Sequence, residues 1–596
     1  MKNIYPILFF CLCGISICIS CKKQVSHGPP NVIVVITDDQ GYGDLSAHGN
    51  PWLKTPNLDI LHGESLRLTN FHVGTTCAPS RSSVMTGKYC NNAGAWHTIQ
   101  GRQMVWADER MISENFQQAG YTTGMFGKWH LGDNYPYRPQ DRGFQEVLMH
   151  GGGGVGQTPD YWNNDYFDDT YFRNGEPEKH EGYCTDVWFR EAMSFIEANK
   201  DGPFFCYLAT NAPHGPFHVD TAYSKVYEQM DGVVNANFFG MIANIDENIG
   251  LLREKLTKLN IADNTIFVFL TDNGTAAGCN LKDGFVSEGY NAGMRGKKGS
   301  EYEGGHRVPC FIHWKNGNLN IGRDIDELTG AIDLGPTLLE LCGISPDPEQ
   351  EFDGISLKPL IDQSGEWGDR ILFADTQRED SLIKYRRFCV MNGDWRLVNG
   401  ELYNLRQDPE QKNNLAGEHS FMAANLMAAY ENWWAHVSRR KDEYCYVPLG
   451  SQAGPQGFTH HDLHPETEGY PAWHQAHIRS AKMLQGFWAV EVQESGEYRF
   501  ELQRWPKEAN LEILSSAPEG DMIPQGLAFK QGTPIDIVKA HLEIGEQKME
   551  TTVSEGDKAA VFTLSLDPGT YELRAEFEYA DGQENGAYYV YAEKGK

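Results

Sequence analysis

Two polar pairs, Asp38-Asp39 and Asp272-Asn273, each follow an apolar, β-branched run, NVIVVIT and TIFVFLT. Their side chains offer oxygen donors only, a set that suits calcium or magnesium and not zinc. Taken singly, either pair reads equally well as a turn or helix cap at a strand end. The stretch Cys77-Ala78-Pro79-Ser80-Arg81 opens a helix-prone run. That puts residue 77 at a helix N-terminus, where free backbone N–H groups stabilise an anion. Arg81 lies one turn further along the same face and can hold an oxyanion bidentately. Spacing alone leaves a buried structural cysteine as the alternative. Lys128-Trp129-His130 and Pro213-His214 form two more polar clusters, and imidazoles that titrate near neutrality suit acid and base work.

Such groups converge only if the elements beneath them do. Residues 31–37, 122–127, 203–209 and 265–271 read as strands, and the first is apolar at nearly every position, as in a parallel sheet covered on both faces. Helix-like stretches at 113–118, 186–199 and 236–259 lie between them. This alternation predicts an α/β fold whose ligands gather at the carboxyl ends of the strands, where all four polar clusters sit. After a helical stretch at 332–341 and a Pro-rich acidic segment at 345–351, the pattern becomes strand-turn-strand, then a helix at 422–437. A stretch rich in Gly, Pro and His spans 450–470, and β-forming segments at 487–492, 496–503, 559–566 and 569–579 follow it. The expected division is 29–369 for a catalytic domain, 370–449 for a smaller α+β subdomain, and 450–596 for a linker with a β-sandwich-like appendage.

CAPSRSSVMTG, residues 77–87, resembles the C-x-P-S-R-x-x-x-x-T-G signature of the type I sulfatases in the alkaline phosphatase superfamily. The resemblance runs from about residue 31 to 416 through TDDQGYGDL (37–45), TPNLD (55–59), GKWHLG (127–132), RGF (142–144), PHGP (213–216), TDNG (271–274), RGKKGSEYEGGHRVP (295–309) and ELYNLRQDP (401–409). It implies a large, mostly parallel mixed sheet flanked by helices. It also implies that a maturation enzyme oxidises Cys77 to formylglycine (3-oxoalanine). One hydroxyl of the hydrate attacks the sulfur of a sulfate ester; the other later helps to expel sulfate and restore the aldehyde. Asp38, Asp39, Asp272 and Asn273 match the family's ligands to one calcium ion, which the residue 77 oxygen and the substrate sulfate complete. Arg81 and Lys128 match groups that steady the hydrate and the sulfate charge. His130 matches the base on the hydrate, and His214 with Lys298 match those that contact the sulfate and protonate the leaving oxygen. Lys298, directly before Gly299, is preferred to Lys297, which reads as a surface charge.

Some features depart from the pattern. Where relatives place a serine after RGF, this chain has Met149-His150 and four glycines, so His150 is a candidate substrate contact or a structural turn. His306 stands where relatives carry an apolar residue and is a second candidate contact. Tyr161, Trp162 and Tyr166 could line a sugar subsite or pack an ordinary loop. His460, His461, His464, His474 and His477 lack the ligand spacing of a zinc site and are expected in a solvated or pocket-rim loop.

The formal charge of −30 over 596 residues argues against nucleic acid and anionic membranes as partners through net charge, leaving a local basic pocket open. Four of the thirteen cysteines fall within the first 21 residues, and the others show no CxxC pair, which argues against a thiolate metal site or a disulfide-stapled fold. Lys2, the apolar stretch 7–19, Ser20 and Cys21 read as a bacterial export signal with Cys21 as a candidate lipid anchor, hence a periplasmic or cell-surface location. The function read from these residues is hydrolysis of sulfate esters, with a sulfated glycan or small molecule as substrate. The alternatives are a phosphodiesterase or phosphonate monoester hydrolase of the same superfamily, and an inactive glycan-binding surface lipoprotein.

Overall fold

A computed structural model describes residues 28–364, 367–450 and 454–595, so the export segment and Cys21 lie outside the described residues. β1 (Asn31–Thr37) sits at the centre of a ten-stranded sheet with strands on both sides. Beyond helix α1 (Cys77–Thr86), β2 (Thr122–Lys128), β3 (Glu146–His150), helix α2 (Cys184–Ala198), β4 (Phe204–Ala209), helix α3 (Ala236–Lys258) and β5 (Thr265–Thr271) follow in the chain. β5, β1, β4, β2 and β3 are neighbours in that order and all run parallel. The strands outside them, Cys310–His313 beside β5 and Thr170–Arg173 beside β3, run antiparallel.

Every residue of β1 is buried because each face has its own cover. Val32, Val34 and Ile36 pack with Ala78, Val84 and Met85 of α1. Ile33 and Val35 pack with Val187 and Phe195 of α2 and with Ile245 and Ile249 of α3. Full burial of each such side chain contributes about 1.5–3 kcal/mol, which is why an alternating strand would not serve here. Parallel register then brings the carboxyl ends of β1, β2, β4 and β5 to one edge, and the residues that follow each strand meet there.

Strands 371–375, 388–392, 395–398 and 401–404 form an antiparallel meander in sequence order. Helix α4 (Ser420–Val437) lies against it. A buried ion pair, Arg396 Nε to Glu303 Oε1 at 2.6 Å, docks the meander on the half that holds the ten-stranded sheet. The C-terminal sheets combine strands 447–449, 486–492, 569–579, 537–544 and 547–552 in one layer and 456–459, 589–594, 496–503 and 560–566 in the other. Leu426, Tyr430 and Trp433 of α4 share one apolar cluster with Val490, Phe500 and Leu573, so meander helix and sandwich are packed as a unit.

The stretch expected as a solvated or rim loop around 454–482 differs from that reading at three histidines. His460, His461 and His464 are buried, and each ring has a partner: the Leu484 carbonyl, the Asp462 carboxylate and the Asp380 carboxylate. Backbone bonds zip the stretch onto the half that holds the ten-stranded sheet, with Gln100 N donating to His461 O, Thr158 N to Trp473 O and Gln475 N to Gly156 O at 2.8, 3.0 and 3.0 Å. A polar sequence is buried there because its donors and acceptors are satisfied across the interface. Gln475 is the clearest case. Fully buried, it accepts from Asn163 N at 2.9 Å and donates to Tyr161 O at 3.0 Å. Gln475→Ala leaves those groups unpaired, at about 1–3 kcal/mol each. The expected result is faster amide exchange across 151–164 and a kcat about tenfold lower; unchanged exchange there would show that the loop stands without it.

Candidate active site

The four polar clusters converge at the carboxyl edge of the parallel strands. Asp38 and Asp39 leave β1, Lys128 ends β2 with His130 two residues on, His214 follows β4, and Asp272 and Asn273 leave β5. Cys77 is the first residue of α1, whose ten residues are all buried. Asp39 and His130 have φ of 70° and 64°, a left-handed backbone that costs non-glycine residues about 1–3 kcal/mol and that gathers at functional sites.

Ligand atoms of Asp38, Asp39, Asp272 and Cys77 all lie within 4.8 Å of one another. Lys128 Nζ pairs with Asp38 Oδ2 at 2.6 Å, and Lys298 Nζ with Asp39 Oδ1 at 2.5 Å. Arg81 donates from Nε and Nη2 to Asp272 Oδ2 at 3.0 and 2.8 Å and from Nη1 to the Lys128 carbonyl at 3.1 Å. Asn273 Nδ2 donates to Asp39 Oδ1 at 3.0 Å. Two buried oxygens, Asp38 Oδ1 and Asn273 Oδ1, have no partner among the described residues. Unpaired buried acceptors facing clustered carboxylates are what a hard cation satisfies.

The electrostatics agree with crowding that a cation would relieve. Burial, with the neighbouring Asp38 charge, pushes Asp272 up to about 6. Burial also raises Asp39, yet Lys298 and then His214 hold it well below the usual carboxylate range. Burial, followed by the Asp38 charge, pushes the Cys77 thiol up to about 12. The unmodified thiol is therefore protonated at neutral pH and a poor nucleophile.

Cys77, His130, His214 and Lys298 line one cavity of about 460 Å³. His130 Nε2 donates to the Thr98 carbonyl at 2.8 Å, which leaves Nδ1 as the unprotonated nitrogen, and Nδ1 has no partner among the described residues. Burial, with Lys128 next, depresses His130 well below its ordinary value, so it is a neutral imidazole able to accept a proton. His214 Nδ1 donates to the Gly215 carbonyl at 2.6 Å and its Nε2 lies 3.8 Å from Asp39 Oδ2. Burial and then Lys298 bring His214 down to about 3.

Gly153 explains part of the glycine run after β3. A Cβ built there would lie 2.3 Å from His130 Cε1, so the ring would have to shift. Gly153→Ala is expected to displace that imidazole and to lower kcat by about 10–100-fold while the melting temperature moves little. A kcat within twofold of the parent would show that the ring has slack.

Other candidates lie elsewhere. His150, in register with Lys128 on β3, is fully buried and does not line the cavity; its Nδ1 donates to the Gly151 carbonyl. His306 is fully buried between the His72 ring and the Glu301 carbonyl, at 2.9 and 3.2 Å, and is likewise no cavity wall. Neither ring lines the cavity: His306 has a partner on both nitrogens, whereas His150 Nε2 is buried with no partner among the described residues. Tyr166 is buried and donates to the His214 carbonyl at 3.1 Å, and Trp162 packs edge-on against Trp505. Tyr166 and Trp162 are thus packed inside the protein, and none of the three aromatics lines the cavity. Lys297 is half-buried rather than solvated, its Nζ directed at the Ala276 and Cys279 carbonyls. Unforeseen in the sequence were His97, Thr98 and Gln157 on the cavity wall, with Arg378, Tyr470 and Trp473. They come from four separate segments and no local motif marks them.

Among the described residues all nine cysteines are free, and no helix is long and apolar enough to cross a membrane.

The sequence profile described as Sulfatase matches residues 30–344, and that described as N-sulphoglucosamine sulphohydrolase, C-terminal, matches 297–432. Human N-acetylgalactosamine-6-sulfatase is 30% identical over 395 residues, which cover 62% of this chain and 73% of that protein. The uncharacterized sulfatase YdeN of Escherichia coli K12 is 29% identical over 390 residues, 56% of this chain and 66% of that one. The crystal structure of Ps i-CgsB in complex with k-i-k-neocarrahexaose superposes with a TM-score of 0.62 at 28% identity, covering 70% of this chain and 95% of that one.

Proposed function

The chain belongs to the sulfatase family and is a sulfuric ester hydrolase, and on that footing we propose that it desulfates a carbohydrate outside the cytoplasm, using Cys77 oxidised to formylglycine and one calcium ion. The observation that carries this reading is the convergence of Cys77 with two unpartnered buried oxygens, Asp38 Oδ1 and Asn273 Oδ1, and three cationic side chains. The carbohydrate is supported by the names of the similar proteins, an N-acetylgalactosamine-6-sulfatase and a structure in complex with k-i-k-neocarrahexaose.

Asp38, Asp39, Asp272 and Asn273 would hold the ion. When bound, it supplies a Lewis acid at the sulfate oxygens. Oxidised Cys77 supplies a hydrated aldehyde hydroxyl as nucleophile, in place of a thiol whose protonated state makes it inert. The chain's own residues do the rest. His130 takes a proton at Nδ1, the nitrogen left free by the bond from Nε2 to Thr98. Lys128 and Lys298 place positive charge where the sulfuryl group gains negative charge in the transition state. Arg81 fixes Asp272 and the end of β2 in one array. Lys298, which Asp39 keeps protonated despite burial, and His214 line the same cavity as Cys77 and are the groups assigned to the leaving oxygen. A sulfate bound beside His214 adds negative charge there and raises its affinity for the proton it delivers.

The experiment is to co-produce the chain with a formylglycine-generating enzyme, identify residue 77 by peptide mass spectrometry, and compare aryl sulfate with aryl phosphodiester. We expect sulfate release, lost by at least about 100-fold after chelation and restored by calcium. Full activity in chelated, metal-free protein would overturn the calcium assignment, and full activity with unmodified Cys77 would overturn the formylglycine assignment.

A further inference from the structure

The outer wall of the cavity is built from residues that the catalytic motifs do not supply. Arg378 and Glu379 come from the loop after strand 371–375, and Tyr470 and Trp473 from the segment between strands 456–459 and 486–492. Trp473 is half-buried and its carbonyl is fixed by Thr158 N at 3.0 Å, with His477 packed edge-on at 4.9 Å between ring centroids. The ring is therefore held in place before any ligand arrives. Tyr470, 52% exposed, stands beside it at the mouth.

Arg378 is the unusual member. Its backbone has φ of 44°, in the left-handed region, and its side chain is exposed to the cavity. Among the described residues it makes no hydrogen bond and no ion pair, whereas nearby Arg102, Arg386 and Arg387 are paired with Asp380, Glu379 and Glu301. In a chain of net charge −30, an arginine that lines a cavity and has no carboxylate partner is a cation left for a ligand. The partner it fits is a second oxyanion, because a guanidinium fork binds carboxylate or sulfate bidentately.

We propose that Arg378 and Trp473 form a second-anion subsite: the substrate carries, besides the sulfate at Cys77, another sulfate or a carboxylate that pairs with Arg378, while a sugar face packs on Trp473. This rests on the sulfatase reading of the Cys77 centre and adds the class of substrate. Cys77 and Arg378 line the same cavity of about 460 Å³, a volume in the range of small-ligand sites, which fits recognition of a short, multiply charged saccharide.

The test is equilibrium binding to the Cys77→Ala protein, which separates recognition from turnover. Three disaccharide probes are compared: one disulfated, one monosulfated with a uronate carboxylate, and one monosulfated and otherwise neutral. At least one dianionic probe is expected to bind about 10–100-fold tighter than the neutral one, and Arg378→Ala in the same background to abolish that preference. Which dianion wins distinguishes sulfate from carboxylate. Arg378→Lys should restore part of the preference, and Trp473→Ala should weaken all three probes by about tenfold. A preference that survives Arg378→Ala, an equal loss for all three probes, or no binding by any of them overturns the proposal. Turnover of 4-nitrophenyl sulfate by the mature parent enzyme is measured separately; its absence strikes the catalytic reading and leaves the binding result in force.

Discussion

Cys77→Ala is expected to leave the protein folded and to lower kcat on an aryl sulfate by on the order of 10⁴–10⁶-fold, the scale seen when a covalent nucleophile is removed. The residue is 2% exposed at the start of a wholly buried helix, and alanine is smaller than cysteine, so the substitution introduces no clash. Its loss removes the only side chain among the described residues placed to attack from between Asp39 and Lys298, whose Oδ1 and Nζ lie 3.9 and 3.6 Å from Cys77 Sγ. Melting temperature and sulfate release, measured together on protein co-produced with the maturation enzyme, check both halves. The same parent chain made without maturation should be as inactive as the alanine variant and should resist alkylation at Cys77 near neutral pH, since burial and Asp38 push that thiol up to about 12. Rapid alkylation would overturn the protonated-thiol reading, and a kcat within tenfold of the parent for Cys77→Ala would remove residue 77 from the mechanism.

Asp272→Ala should have the largest combined effect on stability and activity. Arg81 and Asp272 are both fully buried, and one carboxylate oxygen accepts two of the guanidinium bonds. Removing one partner of a buried pair strands the other charge, at about 3–5 kcal/mol. Asp39 N, which donates to Asp272 Oδ1 at 3.0 Å, also loses its acceptor, and Asp39 is the residue that holds Lys298. Asp272→Asn separates the two roles. It keeps the shape and one acceptor, so it should unfold at a denaturant concentration closer to the parent, yet lose about 10³-fold in activity if the carboxylate serves a cation. Equal activity of Asp272→Asn and the parent would show that Asp272 is structural only.

The positions of the central elements were readable because their patterning is physical. The runs at 31–37 and 265–271 are apolar on both faces, and such runs fold as buried parallel strands; both strands have those bounds. The glycines and histidines of 450–470 misled for an equally physical reason. A polar segment is solvated when its backbone is free, and here the backbone pairs with strand 589–594 and accepts from Gln100 N at His461 O, partners more than 100 residues away in the chain. Burial by long-range hydrogen bonding leaves no periodic trace in sequence.

What the sequence by itself determined is the chemistry of the centre: oxygen donors at two strand ends, Cys77 and Arg81 one helical turn apart, and the two histidine clusters, all carried by local spacing and motif. Only the tertiary structure decided which of those groups share a cavity, that His150 and His306 do not line it, and that Arg378, Tyr470 and Trp473 do. The division has one cause. The polar clusters sit at strand ends, which parallel pairing aligns wherever the strands form, whereas the outer wall is assembled from loops whose positions depend on packing between the meander, the sandwich and the glycine-rich loop.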